Sequence, residues 1–331
     1  MASMDIFNND AFNVISLTGV INDLTYKPGR LGELGLFDEK GISTLAFWVE
    51  RKGNSLVLIP NTPRGAAGKV NQIDKSKGFM FGVTHLPETD SILADEIANV
   101  RSFGTETEVK TMQGVVSERL ETMRGNLEVT LEYHRLGALK GLIIDADGTT
   151  VIEDLFARFG LTKQSHSLIL GTAGTNVKTK VIEARRKSEK ALGGVAYTGH
   201  RALCSSGFFD TLTSHAKVNS DFDRWNNGAF AREDLRKGFP YGGVIWEEYR
   251  GGVGNIEFIE DGKALLVPEG VKDMFQTKFG YANYVETVNT PGLPFYAKQE
   301  AMRMGKGIDI EAQSNPFCLN TRPDAVVELT L

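Results

Sequence analysis

The sequence predicts an α+β fold, in which one long helix and several shorter ones accompany β-strands separated by turns. Three observations carry this prediction. An apolar stripe at helical spacing runs from about Glu106 to Leu139, a hairpin pattern follows it directly, and the chain from about Asn176 onward mixes helical with β-rich segments. With 331 residues, the chain is long enough for one elaborate domain or for two domains that share a core.

Composition excludes several functional classes. Hydrophobic residues make up 41% of the chain and charged residues 24%, which argues against disorder and against residence in a membrane. A formal net charge of -5 offers no basic surface for gripping nucleic acid, so DNA near this protein would be enclosed rather than held. The N-terminus lacks a signal-peptide pattern, and we expect the protein to stay in the cytoplasm where it is made. Cys204 and Cys318 are expected to be buried, reduced thiols.

The chain begins with two segments that have little to build a core with. Residues 1–37 are expected to form an extended arm, whose Phe7 and Phe12 could dock on another surface. Residues from Ser43 to about Phe81 predict a long two-stranded excursion, because β-rich runs flank the turn sequence at 51–54 and a further run returns near the end. A loop of this length in a compact domain is usually functional or disordered.

The strongest local prediction is the long helix from about Glu106 to Leu139. At 1.5 Å per residue it would be about 50 Å long and would need a broad surface to lie across. Gly114 and Gly125 weaken it, which indicates close packing or a bend at these positions. Its apolar residues step by three or four positions and so form one stripe: Val109, Met112, Val116, Leu120, Met123, Leu127 and Leu131.

The rest of the chain is predicted to alternate hairpins, helices and strands. A hairpin with an Asp-Gly turn is expected first, directly after the long helix. The predicted elements are the hairpin at 142–152, helices at 179–192 and 205–216, and strands at 244–249, 255–260, 264–268 and 324–331.

Every motif that could carry catalysis has a better structural interpretation. The glycine-bearing segments at 171–176 and 251–254 lack the spacing of a phosphate loop and are interpreted as a loop and a hairpin turn. Asp145 and Asp147 precede a glycine and are interpreted as turn residues rather than metal ligands. The five histidines are dispersed, without a recognised metal-ligand spacing. We therefore predict no catalytic residue, no cofactor and no metal.

Charge is distributed unevenly along the chain. Between residues 50 and 78, six basic residues face two acidic ones, whereas between 88 and 134 ten acidic residues outnumber four basic ones. Such a pattern predicts complementary surfaces that meet between identical subunits, and an ordinary solvated surface is the alternative. The candidate subunit contacts are Phe7, Phe12, Trp48, Arg51, Lys52, Arg64, Lys69, Lys75, Lys77, Glu106, Glu108, Glu118 and Glu121.

Segments spread over nearly the whole chain resemble the lambda-type phage major capsid (major head) protein family, often called phage capsid protein E. None of them is a catalytic signature, and their number and order carry the resemblance. The segments are Met4–Phe12 (MDIFNNDAF), Gly32–Phe37 (GELGLF), Glu132–Gly141 (EYHRLGALKG), Arg201–Ser205 (RALCS) and Gly292–Lys298 (GLPFYAK).

The resemblance implies the major capsid fold of tailed phages and herpesviruses. It implies an N-terminal arm at 1–37, an extended β-hairpin loop at 38–85, a peripheral domain with a spine helix and hairpin at 86–175, an axial domain at 176–291, and a C-terminal segment at 292–331 that returns to the peripheral and axial sheets. The extended loop would lie over a neighbouring subunit.

The resemblance also implies a function and a set of partners. The chain would assemble with itself into pentamers and hexamers of an icosahedral head that encloses double-stranded DNA without sequence-specific binding. No long charged helical region precedes the arm, so a separate scaffolding protein is expected, together with a portal and a decoration protein. The protein would belong to the virion, would be in the host cytoplasm during assembly, and would have no membrane partner.

Two other functional classes remain as alternatives at this point. A cytoplasmic oligomeric enzyme with a dispersed active site would form a small closed oligomer with a concave polar pocket. A monomeric ligand-binding module is the third possibility, and it would give the long loop nothing to lie on.

Overall fold

The computed structural model describes residues 13–23, 29–51, 77–94, 96, 108–226, 235–254 and 256–331, with the backbone alone described at 51, 108–113 and 222–226. These residues divide into two compact units. The first unit consists of the described parts of residues 1–47, 81–133 and 276–318, and the second unit of those of 48–80, 134–275 and 319–331. Both units mix helices with strands, which confirms the predicted α+β class.

The helices and strands have the following bounds. The α-helices are α1 (Val14–Asp23), α2 (Arg30–Glu33), α3 (Glu108–Lys140), α4 (Leu155–Phe159), α5 (Val177–Leu192), α6 (Ser206–Ser214) and α7 (Ala216–Asn226). The strands are β1 (Asp38–Gly41), β2 (Ala46–Arg51), β3 (Lys77–Gly82), β4 (Leu86–Leu93), β5 (Leu142–Ile144), β6 (Val151–Asp154), β7 (Gln164–Ser167), β8 (Gly199–Cys204), β9 (Phe239–Tyr241), β10 (Val244–Glu248), β11 (Gly252–Val253), β12 (Ile256–Glu257), β13 (Lys263–Glu269), β14 (Phe275–Phe279), β15 (Tyr296–Ala301), β16 (Gly307–Ser314), β17 (Pro316–Asn320) and β18 (Val327–Thr330). Short 3₁₀ helices lie at Leu235–Lys237, Val285–Thr287, Arg303–Gly305 and Pro323–Ala325.

In the first unit, the long helix α3 lies on an antiparallel sheet of order β15-β16-β4. The described residues of the predicted stripe, from Val116 to Leu131, are all buried, so the predicted helix and its apolar face are confirmed there. Leu120 and Met123 share one core with Ile92 of β4 and Ile308 of β16, which stand opposite each other in the sheet. The sheet is therefore the broad surface that a helix of this length requires.

The glycines of α3 do not mark close packing. A Cβ atom added at Gly114 or at Gly125 would meet no heavy atom within 4 Å. The expectation of close packing at these positions is wrong, and both glycines face open space.

Part of the expected extended arm is helical. Helix α1 buries Leu17 and Ile21, and Val14 packs beside them on the aromatic side chains of Tyr284 and Tyr296. Asn22 fixes the end of α1 by donating to the backbone carbonyl of Phe295 at 2.9 Å. The expectation of an arm without regular structure is wrong for residues 14–23. Their apolar residues recur at helical spacing and pack on the sheet that contains β15 and β16. Residues 1–12 lie outside the described residues.

The second unit is built on a mixed sheet of order β7-β18-β13-β8-β10-β9. Its core contains Trp246 of β10 and Phe208 of α6, whose rings stack at 6.2 Å between centroids. Helix α5 begins two residues before the predicted start, where the Asn176 side chain accepts from the backbone N–H of Thr179. It ends after Leu192, as the sequence predicts, with Gly193 in the left-handed conformation. Cys204 is buried in this core and Cys318 in the first unit, which confirms the predicted buried thiols. Burial raises the pKa of the Cys204 thiol far above its ordinary value.

The predicted hairpin after the long helix is formed by β5 and β6, and it lies in the second unit. The Asp147 carboxylate accepts from the backbone N–H groups of Thr149 and Thr150 at 2.9 and 2.8 Å. The Thr150 hydroxyl donates to the same carboxylate, and these hydrogen bonds hold the Asp147 pKa well below its usual range. Asp147 is therefore a turn residue, as the sequence predicts.

The second unit also contains a buried neutral histidine, His200, which predicts a dependence of stability on pH. The Ser188 hydroxyl donates to the carbonyl of Ala325 at 2.6 Å, so Nε2 of His200, 3.2 Å from the same hydroxyl, must be the donor to it. Nδ1 then has no proton, and it has no hydrogen-bond partner among the described residues. Burial, with the nearby Arg185 guanidinium, lowers the His200 pKa to about 4.

We expect the second unit to lose stability as the pH falls from about 6.5 towards about 4, the unfolded and folded pKa values of His200. The unfolded chain takes up a proton in this window while the folded ring stays neutral, so acid favours unfolding. The loss attributable to His200 is about 2–3 kcal/mol at the lower end. Urea unfolding at several pH values checks this, with His200→Gln as the control because glutamine can still donate to Ser188. Equal pH slopes for the two proteins would contradict the assignment.

Candidate subunit interface

Four of the predicted contact residues have described side chains: Trp48, Lys77, Glu118 and Glu121. For Arg51 and Glu108 the backbone alone is described. The other predicted contacts lie outside the described residues; they are Phe7, Phe12, Lys52, Arg64, Lys69, Lys75 and Glu106.

Strands β2 and β3 form a two-stranded stem at the base of the predicted extended loop. Its inner face is held by aromatic rings of the first unit. The Phe81 ring lies 6.0 Å from that of Phe47 and 5.3 Å from that of Phe317, between centroids, and Phe47 also meets Phe317 edge-on at 5.8 Å. Phe81 is fully buried. These aromatic contacts pack the base of the stem within the first unit.

The opposite face of the stem displays apolar side chains to solvent. Because side chains alternate along a strand, Trp48 and Met80 point away from the buried Phe81. Trp48 is 70% exposed and Met80 is 55% exposed. The indole lies across Gly78, where an added Cβ atom would be 3.3 Å from its ring. A flat tryptophan presented in this way is typical of an interface anchor.

Trp48 is among the contacts predicted from the sequence, and Met80 is not. Met80 stands between the aromatic residues Phe79 and Phe81 in one apolar run. The alternation of the strand was the available signal, because it places Met80 on the face opposite Phe81.

Helix α3 presents an acidic face in the first unit. Two of its arginines have acidic partners: Arg119 pairs with Glu96 at 3.0 Å and with Asp90 at 3.4 Å, and Arg124 pairs with Glu128 at 2.7 Å. Glu118 and Glu121 are exposed, and neither has an ion-pair partner among the described residues. We call the surface defined by Glu118 and Glu121 the acidic face of α3.

Lys77 is the one predicted basic contact whose side chain is described. It is exposed at the start of β3, and no ion pair is formed by it within the described part of the chain. Glu118 and Glu121 are likewise exposed.

Other kinds of site find little support. The described residues contain no group of three His, Cys, Asp or Glu side chains arranged to hold a metal ion. Of the helices in the described ranges, none combines the length and the apolar character required to cross a bilayer.

Comparison with known proteins identifies the family. Residues 13–331 match the family model described as phage major capsid protein E. The chain is 28% identical over 322 residues to the major capsid protein of Pseudomonas phage KPP10, covering 91% of each chain. It is 24% identical to the major capsid protein of Salmonella phage Felix O1, covering 96% of each.

The fold is also that of solved capsid proteins. A crystal structure of a prophage capsid protein from E. coli CFT073 matches with a TM-score of 0.58 at 13% identity, over 97% of this chain and 99% of that one. The capsid protein of cyanophage A-1(L) matches with a TM-score of 0.54 at 12% identity, over 93% and 94%. These matches confirm the predicted phage capsid fold.

The family overturns the alternative of a cytoplasmic oligomeric enzyme, because the chain matches structural proteins from residue 13 to residue 331. Its role is that of a structural shell protein of the virion, which assembles with copies of itself. The resemblance noted in the sequence is thereby confirmed, and the chain belongs to the phage major capsid protein E family.

Proposed function

We propose that the chain builds an icosahedral phage head from pentamers and hexamers and encloses double-stranded DNA. The observation that carries this proposal is the outward face of the stem, where Trp48 and Met80 are exposed in the single chain. Solvent-exposed side chains of this size in one strand pair are a feature of surfaces that become buried on association.

In this proposal the loop of residues 38–85 extends over a neighbouring copy. Trp48 and Met80 supply the apolar contact, and the basic residues of the loop face the acidic face of α3 next door. Each exposed ion pair contributes only about 0–1 kcal/mol. The contact is heterologous, so it repeats around a ring, and the repetition turns small contributions into a strong preference for one register.

The domain assignment follows the same proposal. The helix α3 and the sheet β15-β16-β4 act as the core of the peripheral domain, and the six-stranded sheet of the second unit as the core of the axial domain. In terms of residues, we assign 1–37 to the N-terminal arm, 38–85 to the extended loop, 86–175 to the peripheral domain, 176–291 to the axial domain and 292–331 to the returning C-terminal segment.

The remaining partners are proposed on charge and on the order of assembly. A net charge of -5 disfavours adhesion to DNA, so the shell encloses the duplex without sequence-specific contacts. We propose that assembly takes place in the host cytoplasm on a separate scaffolding protein, with a portal at one vertex and a decoration protein on the finished head.

The test of this function is assembly of the purified chain, observed by negative-stain electron microscopy and by light scattering after size exclusion, with and without scaffolding protein. Wild type should give closed shells, or rings of five and six. Trp48→Ser should raise the concentration required for assembly by about tenfold or more, because the buried area of an aromatic anchor is lost. Trp48→Phe keeps a flat apolar ring and should assemble nearly as well as wild type.

The same assay separates the apolar contact from the charge contact. Lys69, Lys75 and Lys77 changed together to Glu should assemble poorly, and adding Glu118→Lys with Glu121→Lys should restore part of the yield. Circular dichroism should show folded subunits in every case, since the described side chains among these are exposed. If the triple variant gave the same particle yield as wild type, the charge contact would be wrong. If the wild-type chain stayed a uniform dimer or tetramer, the proposed function itself would be wrong.

A further inference from the structure

Helix α5 is strongly basic, although the formal net charge of the whole chain is -5. Its 16 residues include six basic side chains and two acidic ones. A local concentration of positive charge in an acidic protein creates a positive potential at one place on the surface, and such a potential attracts anionic partners.

The apolar face of α5 is already covered by its own unit. Val181 and Ala184 are buried in one core with Val327 of β18. Ser188, on the same side of the helix, donates to the carbonyl of Ala325 at 2.6 Å. The helix therefore has no free apolar face to insert into a bilayer or into the groove of another protein. Only its charged side is available to a partner.

Both acidic residues of α5 are paired within the helix. Nζ of Lys180 is 2.9 Å from the Glu183 carboxylate, and Nη2 of Arg185 is 3.4 Å from that of Glu189. The remaining four basic residues are exposed, and none of them forms an ion pair with another described residue. We call these four the basic face of α5: Lys178, Arg186, Lys187 and Lys190.

The basic face extends along most of the helix. At 1.5 Å per residue, Lys178 and Lys190 are about 18 Å apart along the axis, and Arg186 is one turn before Lys190. His166 of β7 lies beside this face, and its pKa is lowered by burial and then by the Lys187 ammonium. The surface is therefore positive over a length that matches several phosphates of a nucleic acid backbone.

The residue types of α5 distinguish between classes of anionic partner. The helix contains no aromatic residue, no Asn and no Gln, and it exposes no large apolar side chain. Protein interfaces are enriched in aromatic residues and depleted in lysine, so this face fits a protein poorly. Single strands are held by stacking on aromatic rings, and base sequence is read largely by side chains such as Asn and Gln. The partner that remains is the phosphate backbone of a duplex, which lysine and arginine contact whatever the sequence.

We propose that the basic face of α5 contacts the phosphate backbone of double-stranded DNA on the inside of the shell. Its four cationic groups replace counterions that are condensed on the duplex, and the release of these counterions drives the contact. The rest of the chain has a net negative charge, so the contact stays local and weak, and the duplex can slide past it. This inference rests on the proposed function, because it names the surface that the enclosed DNA touches.

The test measures binding of the unassembled full-length chain to a fluorescently labelled DNA duplex of mixed sequence, by anisotropy over a series of salt concentrations. For wild type, the logarithm of the affinity should fall with the logarithm of the salt concentration with a slope of about -3 to -4, since each neutralised phosphate contributes about -0.9. The variant with Gln at all four positions of the basic face should bind at least about tenfold more weakly at low salt and should lose most of this slope. Glutamine is nearly as good a helix former as lysine, so the urea midpoint should stay close to that of wild type.

A second variant is matched in the number and type of the charges that it loses. It carries Gln at four exposed positions outside α5, and it should bind the duplex like wild type: Lys237, Lys272, Arg303 and Lys306. The inference is overturned if both variants lose binding equally, or if wild type does not bind the duplex at low salt. It is also overturned if the α5 variant binds the duplex normally but no longer binds polyglutamate, because the face would then serve an acidic protein.

Negative-stain electron microscopy separates this inference from the proposed function. The α5 variant should form shells with the same yield as wild type, because the basic face is directed at DNA. If wild type formed shells and the α5 variant did not, the face would be a contact between subunits and the inference would be overturned. Failure of wild type to assemble would count against the proposed function, whereas duplex binding by the subunit is measured independently of assembly.

Discussion

Replacing Gly292 with alanine is expected to destabilise the first unit by about 3–5 kcal/mol, enough to remove most folded protein. A Cβ atom at this position would be 2.0 Å from the carbonyl oxygen of Phe279 and 2.6 Å from the carbonyl carbon of Gly280. The obstruction cannot move cheaply, because the Phe279 oxygen already accepts from the N–H of Ile42 at 2.8 Å, and the N–H of Gly292 donates to the Ile42 carbonyl at 3.0 Å.

Gly125→Ala is the matched control for Gly292→Ala. Gly125 is inside α3, and an added Cβ atom there would meet nothing within 4 Å. Alanine should therefore stabilise the helix by up to about 1 kcal/mol relative to glycine. Equilibrium unfolding in urea, followed by circular dichroism, measures both variants. If Gly292→Ala unfolded at the wild-type midpoint, the close backbone approach described for this segment would be wrong.

Replacing Arg201 with methionine should destabilise the second unit by about 3–5 kcal/mol. Arg201 is in the middle of β8 and donates from Nη1 to Glu247 at 2.8 Å and from Nε to Glu269 at 2.6 Å. The Glu247 side chain is only 3% exposed. Without the guanidinium, its carboxylate stays in a buried position and loses its charged partner, which is costly in a medium of low dielectric constant.

Two further variants distinguish lost charge pairing from lost packing. Arg201→Met combined with Glu247→Leu should recover much of the stability, because replacement of a buried ion pair by apolar residues is often nearly neutral. Arg186→Met, at an exposed position of α5, should change the free energy of unfolding by less than about 0.5 kcal/mol. Thermal and urea unfolding measure all three proteins. A double variant no more stable than Arg201→Met would show that packing of the arginine stem dominates.

Local patterns in the sequence predicted the elements whose cause is local. The stripe through Leu120 and Leu127 depends on residues of one helix, and the glycine that ends α5 acts within a single turn. The Asp147 turn is likewise closed by its own neighbours. Each of these was predicted within a few residues.

The strands β4, β15, β16 and β17 were missed. Strands β15 and β16 are neighbours in the chain and pair with each other, so a distant partner does not explain these two. Strand β4 pairs with β16 more than two hundred positions later, so no local feature indicates the register. The polar residues Gln313, Ser314 and Asn315 are buried at the end of β16, which hides the alternation that marks a strand. Gln313 accepts from the N–H of Asn283, and Ser314 donates to the carbonyl of Pro294, contacts that only the folded chain makes.

Part of the candidate interface could be predicted, because some of its features are local in the sequence. The charge imbalance and the exposed Trp48 follow from residues that are close in sequence. The exposed Met80 was not predicted, because the run from Phe79 to Phe81 is apolar throughout and shows which face is buried only once the strand is packed.

The position of β18 determines when the second unit can finish folding during synthesis. This strand lies inside the six-stranded sheet, between β7 and β13, and Val327 and Leu329 are fully buried there. Until the ribosome has delivered residue 330, β7 and β13 have open hydrogen-bonding edges and a gap in the core between them. A chain that stops before β18 therefore cannot complete the six-stranded sheet and keeps two strand edges open to other chains.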